Sequence, residues 1–309
     1  MQNLALRCVT LQSVQTSAAA NVKEAEARGT GGQVRYALCF FGLTRSVQWT
    51  IQNIERHIFA PLRSNDTIRY DVFVHTYRME KLDNPRAGEV AAVYANPNSD
   101  VQKLRPTRYL ITSQDDFDLT YPDVQTMSPL QWSYPDNTTV QNIFRAQNSL
   151  ALVWSIMADF AAEHSIDYDA VVALRPDVLY LRDLDIPQRG VLPERTAFVA
   201  DFQHYGGCND RFAYGRPSAM RVYANRLDSM LNAALRPVGD RKSFNSEQLL
   251  QRHLEAHNVS VVLADMLFSR VRSTGALPKQ DKRLVVDACK QHLPGACKAL
   301  RWSEQALGS

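Results

Sequence analysis

The stretch Tyr168 to Leu181, YDAVVALRPDVLYL, constrains the fold more than any other part of the chain. Ala170 to Leu174 is short and wholly apolar, the pattern of a strand buried on both faces. Such strands belong to parallel sheets with helices on either side. The run breaks at Arg175, Pro176 and Asp177 and resumes as Val178 to Leu181. A charged pair split by a proline therefore stands at the carboxyl end of a buried strand, the edge at which open α/β sheets bind ligands. An acid there can hold a divalent cation or a sugar hydroxyl, and an arginine can grip phosphate through two parallel hydrogen bonds. The same pair reads equally as an ion pair that closes a strand end and a turn.

The pattern recurs along the chain. YALCFFG, from Tyr36, is an apolar strand ending at Gly42. Leu43-Thr44-Arg45-Ser46 follows, then a helix with Val47, Ile51, Ile54 and Ile58 on one face. A helix amino end beside a cation favours an anion. The plainer alternative is a βα turn capped by Ser46. The turn is too short for a Walker loop. A second strand, Asp71 to Thr76, ends in His75 and Thr76, and Arg108 to Ile111 is a short one. Residues 112–139 read as a long loop whose Tyr121, Trp132 and Tyr134 either stack on sugars or pin the loop to the body. Val140 to Glu163 has Ile143, Leu150, Trp154, Met157 and Phe160 at helical spacing, mainly core.

Ala197 to Asp201 is a further strand, and a polar cluster with Gly206, Gly207, Asn209, Asp210 and Arg211 follows it. Ser218 to Ala233 reads as one helix. Ser246, a plausible cap, opens another with Glu247 in its first turn. Ser260 to Leu267 reads as the last strand. The expectation is an α/β domain with a mostly parallel, Rossmann-like central sheet flanked by helices, spanning 34–275. An extension at 1–33, flexible or targeting, precedes it, and a basic, helical tail at 276–309 follows.

Composition narrows the function classes. The chain of 309 residues is 45 % hydrophobic, enough for a full core, and its formal charge of +3 is small, with scattered basic residues. That argues against a nucleic-acid surface. No apolar run reaches membrane-spanning length, so no transmembrane segment is expected. Five cysteines, Cys8, Cys39, Cys208, Cys289 and Cys297, lack metal-type spacing. The odd count favours a reducing compartment, although Cys289 and Cys297 can form a local bridge. Acceptor sequons at Asn65, Asn137 and Asn258 leave a soluble piece of a secretory-pathway enzyme open beside a cytoplasmic one.

Polar residues thus follow four strands: Arg45, His75, Arg175 with Asp177, and Asp201 with Asp210. In a parallel sheet these ends are neighbours, and Glu247 adds an acid. The inventory suits transfer of a group from a phosphate-activated donor. An inverting transfer needs a carboxylate base for the acceptor hydroxyl and positive charge on the departing phosphate. Asp210 also reads as a turn cap, Glu247 as an acid favoured by the helix dipole, and His75 as a packed histidine. His253 and His257 lack the glutamate of a zinc protease helix, and no serine sits in a nucleophile elbow.

YALCFFGLTRS, DVFVHTY, YDAVVALRPDVLYL and NDRFAYG followed by SEQLLQRHL, taken in order, resemble glycosyltransferase-like proteins of the GT-A fold from bacteria, algae and viruses. The resemblance spans Tyr36 to Leu267. It implies a nucleotide-sugar donor, a glycan or glycoconjugate acceptor, and a hexosyl- or pentosyltransferase. Gly42, Thr44, Arg45, His75, Arg175, Asp177 and Asp201 would then bind the donor. The RPD triplet stands where such proteins carry D-x-D, and only Asp177 survives as a ligand for manganese or magnesium. Arg175 then supplies part of the metal's charge, or Asp177 acts alone with the donor diphosphate and water. NDRFAYG resembles a D-x-F-x-x-G segment, which gives Asp210 a sugar hydroxyl, and the S-E-Q-L-L helix start places Glu247 at the reaction centre. A non-catalytic carbohydrate- or nucleotide-sugar-binding protein on the same fold is the alternative. A nucleotidyl- or other phosphate-dependent transferase is a third.

Overall fold

The computed structural model describes residues 33–79, 81–84, 89–93, 97–126, 137–187, 191–235, 245–291, 296–297 and 300. The extension before Gln33, and Trp132 and Tyr134 of the expected aromatic loop, lie outside the described residues.

In chain order the strands are β1 (Val34–Phe41), β2 (Ile68–Arg78), β3 (Lys81–Asn84), β4 (Glu89–Val93), β5 (Arg108–Ser113), β6 (Ala170–Leu174), β7 (Val178–Tyr180), β8 (Thr196–Ala200), β9 (Ala213–Gly215), β10 (Ser260–Ala264) and β11 (Phe268–Arg270). Helix α1 runs from Val47–Ile54 through a π-helical Glu55–Phe59 into Ala60–Arg63. The other helices are α2 (Pro97–Lys103), α3 (Gln114–Thr120), α4 (Pro122–Thr126), α5 (Asn137–Glu163), α6 (Pro217–Ala224), α7 (Leu227–Leu235), α8 (Ser246–Ala256) and α9 (Lys279–Lys290).

Seven strands form the central sheet in the order β10-β8-β9-β6-β1-β2-β5. All neighbouring pairs are parallel except those of β9, which runs antiparallel to β6 and β8. The expected mostly parallel sheet flanked by helices is therefore what the chain forms. Alternation explains why β1 and β6 are apolar throughout. Tyr36, Leu38, Phe40, Ala170, Val172 and Leu174 enter one core, with Ile54, Ile58 and Leu62 of α1. Ala37, Cys39, Phe41, Val171 and Ala173 enter the other, with Leu150, Val153 and Met157 of α5. Successive side chains point to opposite faces, so a strand covered on both sides must be apolar at every position.

The antiparallel β9 brings a polar segment to the ligand-binding edge. Ala213 pairs with Ala173 and Val199, near the carboxyl ends of β6 and β8. The start of β9 thus lies at the edge where the parallel strands finish, and Asp210 to Phe212 are delivered there. Gly215, at the other end, permits the close pass, since a Cβ on it would stand 2.6 Å from the Thr196 carbonyl oxygen.

Several sequence expectations change. Residues 112–139 are not one long loop. β5 runs to Ser113, whose hydroxyl and Asp116 form a reciprocal capping box for α3, and α4 follows. Tyr121 packs on Phe117 with ring centroids 4.9 Å apart. The helix expected over Ser218 to Ala233 is two helices, α6 and α7, separated at Asn225 and Arg226. The strand expected over Ser260 to Leu267 stops at Ala264 as β10, and β11, beyond Leu267, is a further strand that pairs with β7. Cys289 and Cys297 are joined in the local disulfide that their spacing allows, while Cys39 and Cys208 are buried. α9 packs on this corner through Val285 and Ala288 against Leu179, Leu181 and Val271. No described helix is long and apolar enough to cross a membrane.

Arg226 accounts for the break between α6 and α7. It is fully buried, with its guanidinium 4.4 Å from the Tyr223 ring centroid, and donates to the carbonyls of Tyr223 at 2.7 Å and Asp210 at 3.2 Å. It therefore braces the segment that leads into β9. Arg226→Met keeps most of the volume and leaves two carbonyls without this donor, at about 1–3 kcal/mol for each one stranded. A lowered urea midpoint is expected, and an unchanged one would remove the brace.

Candidate functional site

The site lies at the carboxyl edge of β1, β6 and β8. Gly42 ends β1 with φ of +97°, a conformation that favours glycine, and its N–H donates to Ser149 Oγ on α5 at 2.8 Å. A Cβ here would stand 2.9 Å from the guanidinium carbon of Arg175. Gly42 is thus the floor on which Arg175 lies, and the guanidinium also sits 5.4 Å from the centroid of Phe41. The amide of Thr44 donates to Thr76 Oγ1 at 3.3 Å. The amides of Gly42 and Thr44 are therefore engaged in the fold, and the turn's fixed positive charge is the Arg45 side chain. Ser46 does not cap α1, as expected of it. Its hydroxyl donates instead to the carbonyl of Val271 at 2.7 Å, fastening the segment after β11 to this loop.

Arg175 grips Asp177 with two parallel hydrogen bonds of 2.9 and 2.8 Å, and Arg45 Nη2 lies 3.6 Å from the same carboxylate. The Asp177 side chain is only 3 % exposed. Burial works against its charge, but Arg175, Arg45 and Arg272 outweigh it and hold the carboxyl below its ordinary range. Arg45, itself 8 % exposed, also pairs with Glu89 at 2.8 Å. A cavity of about 110 Å³ opens beside these groups, lined by Gly42, Leu43, Arg45, Tyr77, Arg145 and Arg175 among others.

A second cluster adjoins the first. Arg211 reaches Asp210 at 3.4 Å, Glu247 at 3.1 Å and Gln203 at 2.6 Å. Glu247 opens α8, whose cap is Asn245 rather than the expected Ser246: the Asn245 side chain accepts from the Gln248 amide at 2.8 Å. Ser246 Oγ lies 3.2 Å from Glu247 Oε2. A Cβ on Gly207 would fall inside the Glu247 carbonyl, so the loop presses against the start of α8, and the Cys208 amide donates to that carbonyl at 3.1 Å. Burial, then the Asp210 charge, push the Glu247 carboxyl up to about 7, against the opposing pull of Arg211. Asp210 acts on Arg175 as well, so the two clusters share one field.

Arg45, Arg175, Asp177, Asp210 and Glu247 are thus brought to one edge, with Gly42 and Thr44 beneath them. Two expected residues stand apart. His75 is fully buried and its ring nitrogens meet Ser149 Oγ at 2.7 Å and Thr112 Oγ1 at 3.1 Å. Burial lowers its pKa to about 3, so it is a neutral packing residue and offers no charge to a phosphate. Asp201 is 60 % exposed and pairs with His204 at 3.2 Å. Sequence reasoning misses Glu89 and Arg272. Glu89 lies in a polar stretch without periodicity, and the only trace of Arg272 is the alternation Arg270-Val271-Arg272 after a strand.

A divalent cation fits this site poorly. Asp177, the expected ligand, has its oxygens held by Arg175 and Arg45 with Arg272 nearby, and three guanidiniums repel a cation. The described residues contain no group of three or more His, Cys, Asp or Glu able to hold a metal. A hard cation needs several oxygen ligands, and this carboxylate is already committed.

No protein-family model matches the chain, and no curated protein matches it. Among solved structures the chain is similar to mouse xyloside xylosyltransferase 1 in its apo form, at 10 % identity and a TM-score of 0.36, over 76 % of this chain and 85 % of that one. It is also similar to the galactosyltransferase LgtC in complex with donor and acceptor sugar analogues, at 15 % identity and a TM-score of 0.34, over 75 % of this chain and 73 % of that one.

Asp177→Asn leaves two buried guanidiniums facing a neutral amide. Breaking a buried ion pair costs about 3–5 kcal/mol, so a large fall in the urea midpoint is expected. A loss of about 1 kcal/mol or less, the range of an exposed pair, would show that other contacts hold Arg175.

Proposed function

We propose that this protein is a glycosyltransferase that moves a sugar from a nucleotide-sugar donor to a hydroxyl of a glycan or other acceptor. The observation that carries the reading is the pairing, at one sheet edge, of a guanidinium-lined cavity with a carboxyl whose proton affinity is raised to about 7. The cavity suits a diphosphate, because Arg45 and Arg175 present fixed positive charge there. Glu247 suits the acceptor side. With Oε1 on Arg211 and Oε2 near Ser246, each oxygen keeps a further lone pair for a hydroxyl. Asp210, beside Arg211, suits orientation of a sugar hydroxyl.

In the inverting form of the reaction, the acceptor proton passes to Glu247 and the acceptor oxygen bonds to the anomeric carbon. The bond from that carbon to the phosphate oxygen breaks, and its electron pair leaves with the nucleoside diphosphate, whose charge the arginines stabilise. Replacement of the first D-x-D acid by Arg175 favours the second reading, a binder of nucleotide-sugars without turnover. Incubation with a panel of nucleotide-sugars and acceptors separates the two, since a transferase releases nucleoside diphosphate and glycosylated product. Donor binding without release would leave the binder.

Glu247→Gln should lower turnover by about 10²–10⁴ with donor affinity retained. The pH dependence has a definite sign. The base works ionised, so kcat/KM of the wild type should rise through about pH 7. Folding runs the other way. The native state holds this proton more tightly than the unfolded chain, so the contribution to stability is full below the ordinary value of 4.5 and is lost as pH rises to about 7. Glu247→Gln should remove that decline in melting temperature. Retained turnover in the variant would take Glu247 out of the base role.

A further inference from the structure

The segment after β11 carries an arginine that the proposed transfer does not use. Val271 N donates to the Asp177 carbonyl at 2.8 Å, and the Trp49 indole donates to the Ser273 carbonyl at 3.0 Å. Arg272 is thereby fixed beside Arg45 and the RPD turn. Among the described residues no carboxylate forms an ion pair with it. Its Nε, the Nε of Arg45 and the hydroxyl of Ser273 are all buried without a hydrogen-bond partner. Burial, then Arg45 and Arg270 as like charges, lower the pKa of Arg272 to about 10, against the weaker pull of Glu89 and Asp177. Arg270 differs, being held by Asp281 at 2.7 and 2.8 Å.

Three guanidiniums, of Arg45, Arg175 and Arg272, therefore face two carboxylates, Asp177 and Glu89. Buried donors without acceptors and a surplus of positive charge are both costly unless an anion completes them. Glu89 shows where one goes. Its side chain comes in from β4, 1 % exposed: Oε1 accepts from the Ser273 amide at 2.7 Å, and Oε2 lies 2.8 Å from Arg45 Nη1 as an ion pair without hydrogen-bond geometry. A carboxylate spanning an arginine and a backbone N–H has the bonding pattern of a phosphate oxygen pair.

We infer that Arg45, Arg175 and Arg272 form a metal-independent diphosphate site, with Glu89 as the resident anion that the ligand displaces. The inference rests on the transferase reading for the identity of the diphosphate, but not for the site itself. Inorganic pyrophosphate is the probe, titrated calorimetrically into the full chain in EDTA. Binding is expected in EDTA and should fall at least tenfold in Arg272→Met, whose melting temperature without ligand should equal or exceed the wild type because an uncompensated cation is gone. Glu89→Gln should bind pyrophosphate several-fold more tightly. Comparing uridine and guanosine diphosphates with pyrophosphate shows whether a nucleoside adds affinity.

Pyrophosphate binding in EDTA without sugar transfer to any acceptor would uphold the site and sink the transferase reading. Transfer abolished by EDTA and restored by manganese would uphold the transferase and overturn the site. Unchanged affinity in Arg272→Met would also overturn it.

Discussion

The edge of the sheet is organised around the Arg175–Asp177 pair. Both groups leave water, and a buried ion pair repays that desolvation only with good geometry and further hydrogen bonds. The geometry here is bidentate. The surroundings are shaped to it. Gly42 has no side chain because the guanidinium lies where a Cβ would be, and Phe41 supplies a ring face. The Arg175 amide donates to the Tyr180 hydroxyl, which in turn donates to the Arg175 carbonyl. The Asp177 carbonyl accepts from Val271, and Thr50 on α1 donates to the Pro176 carbonyl at 2.7 Å. Three separate pieces of chain therefore converge on one turn of three residues.

A parallel sheet gathers the ends of its strands, but only those of strands that run the same way. The polar segment 209–212 joins the edge because β9 is reversed, so its beginning rather than its end lies there. That reversal also explains the tight backbone passage at Gly215 and the buried Arg226 behind Asp210. The link between the two clusters is electrostatic: Asp210 supports the charge of Arg175 on one side and raises the proton affinity of Glu247 on the other.

What the sequence disclosed follows from what periodicity can carry. The apolar runs of β1, β6 and β8 announce burial on two faces, and the polar residues after them announce the edge, so Arg45, Arg175, Asp177, Asp210 and Glu247 were legible as one set. His75 looked the same by position. Its neutral state follows from burial, and its ring is held by Ser149 and Thr112, which are distant in sequence. The split of 218–233 into two helices was hidden because Arg226 is a good helix former, and what breaks the helix is a tertiary contact to Asp210. Asn245 and Ser246 are both good caps, and only backbone geometry separates them. Glu89 lies in a stretch with no pattern, and it meets the segment of Arg272 through a bond from the Ser273 amide that no periodicity foretells.

An arginine at the head of the Arg175-Pro176-Asp177 turn acts differently from an acid in the same place. An acidic pair gathers a cation from solution, so its positive charge is conditional on metal supply. An arginine carries its charge permanently, since the guanidinium stays protonated throughout the accessible pH range. Such a cation needs a counter-ion while the site waits for ligand, or the fold would bear unopposed buried charge. Asp177 fills that need for Arg175 and Glu89 for Arg45. Among the described residues Arg272 forms no ion pair of its own, and burial with neighbouring like charges lowers its pKa to about 10 against the pull of Glu89 and Asp177. Asp177 is therefore better understood as the keeper of Arg175 than as a ligand in its own right. The charge left over points toward an anion, and a cavity already opens beside Arg45 and Arg175.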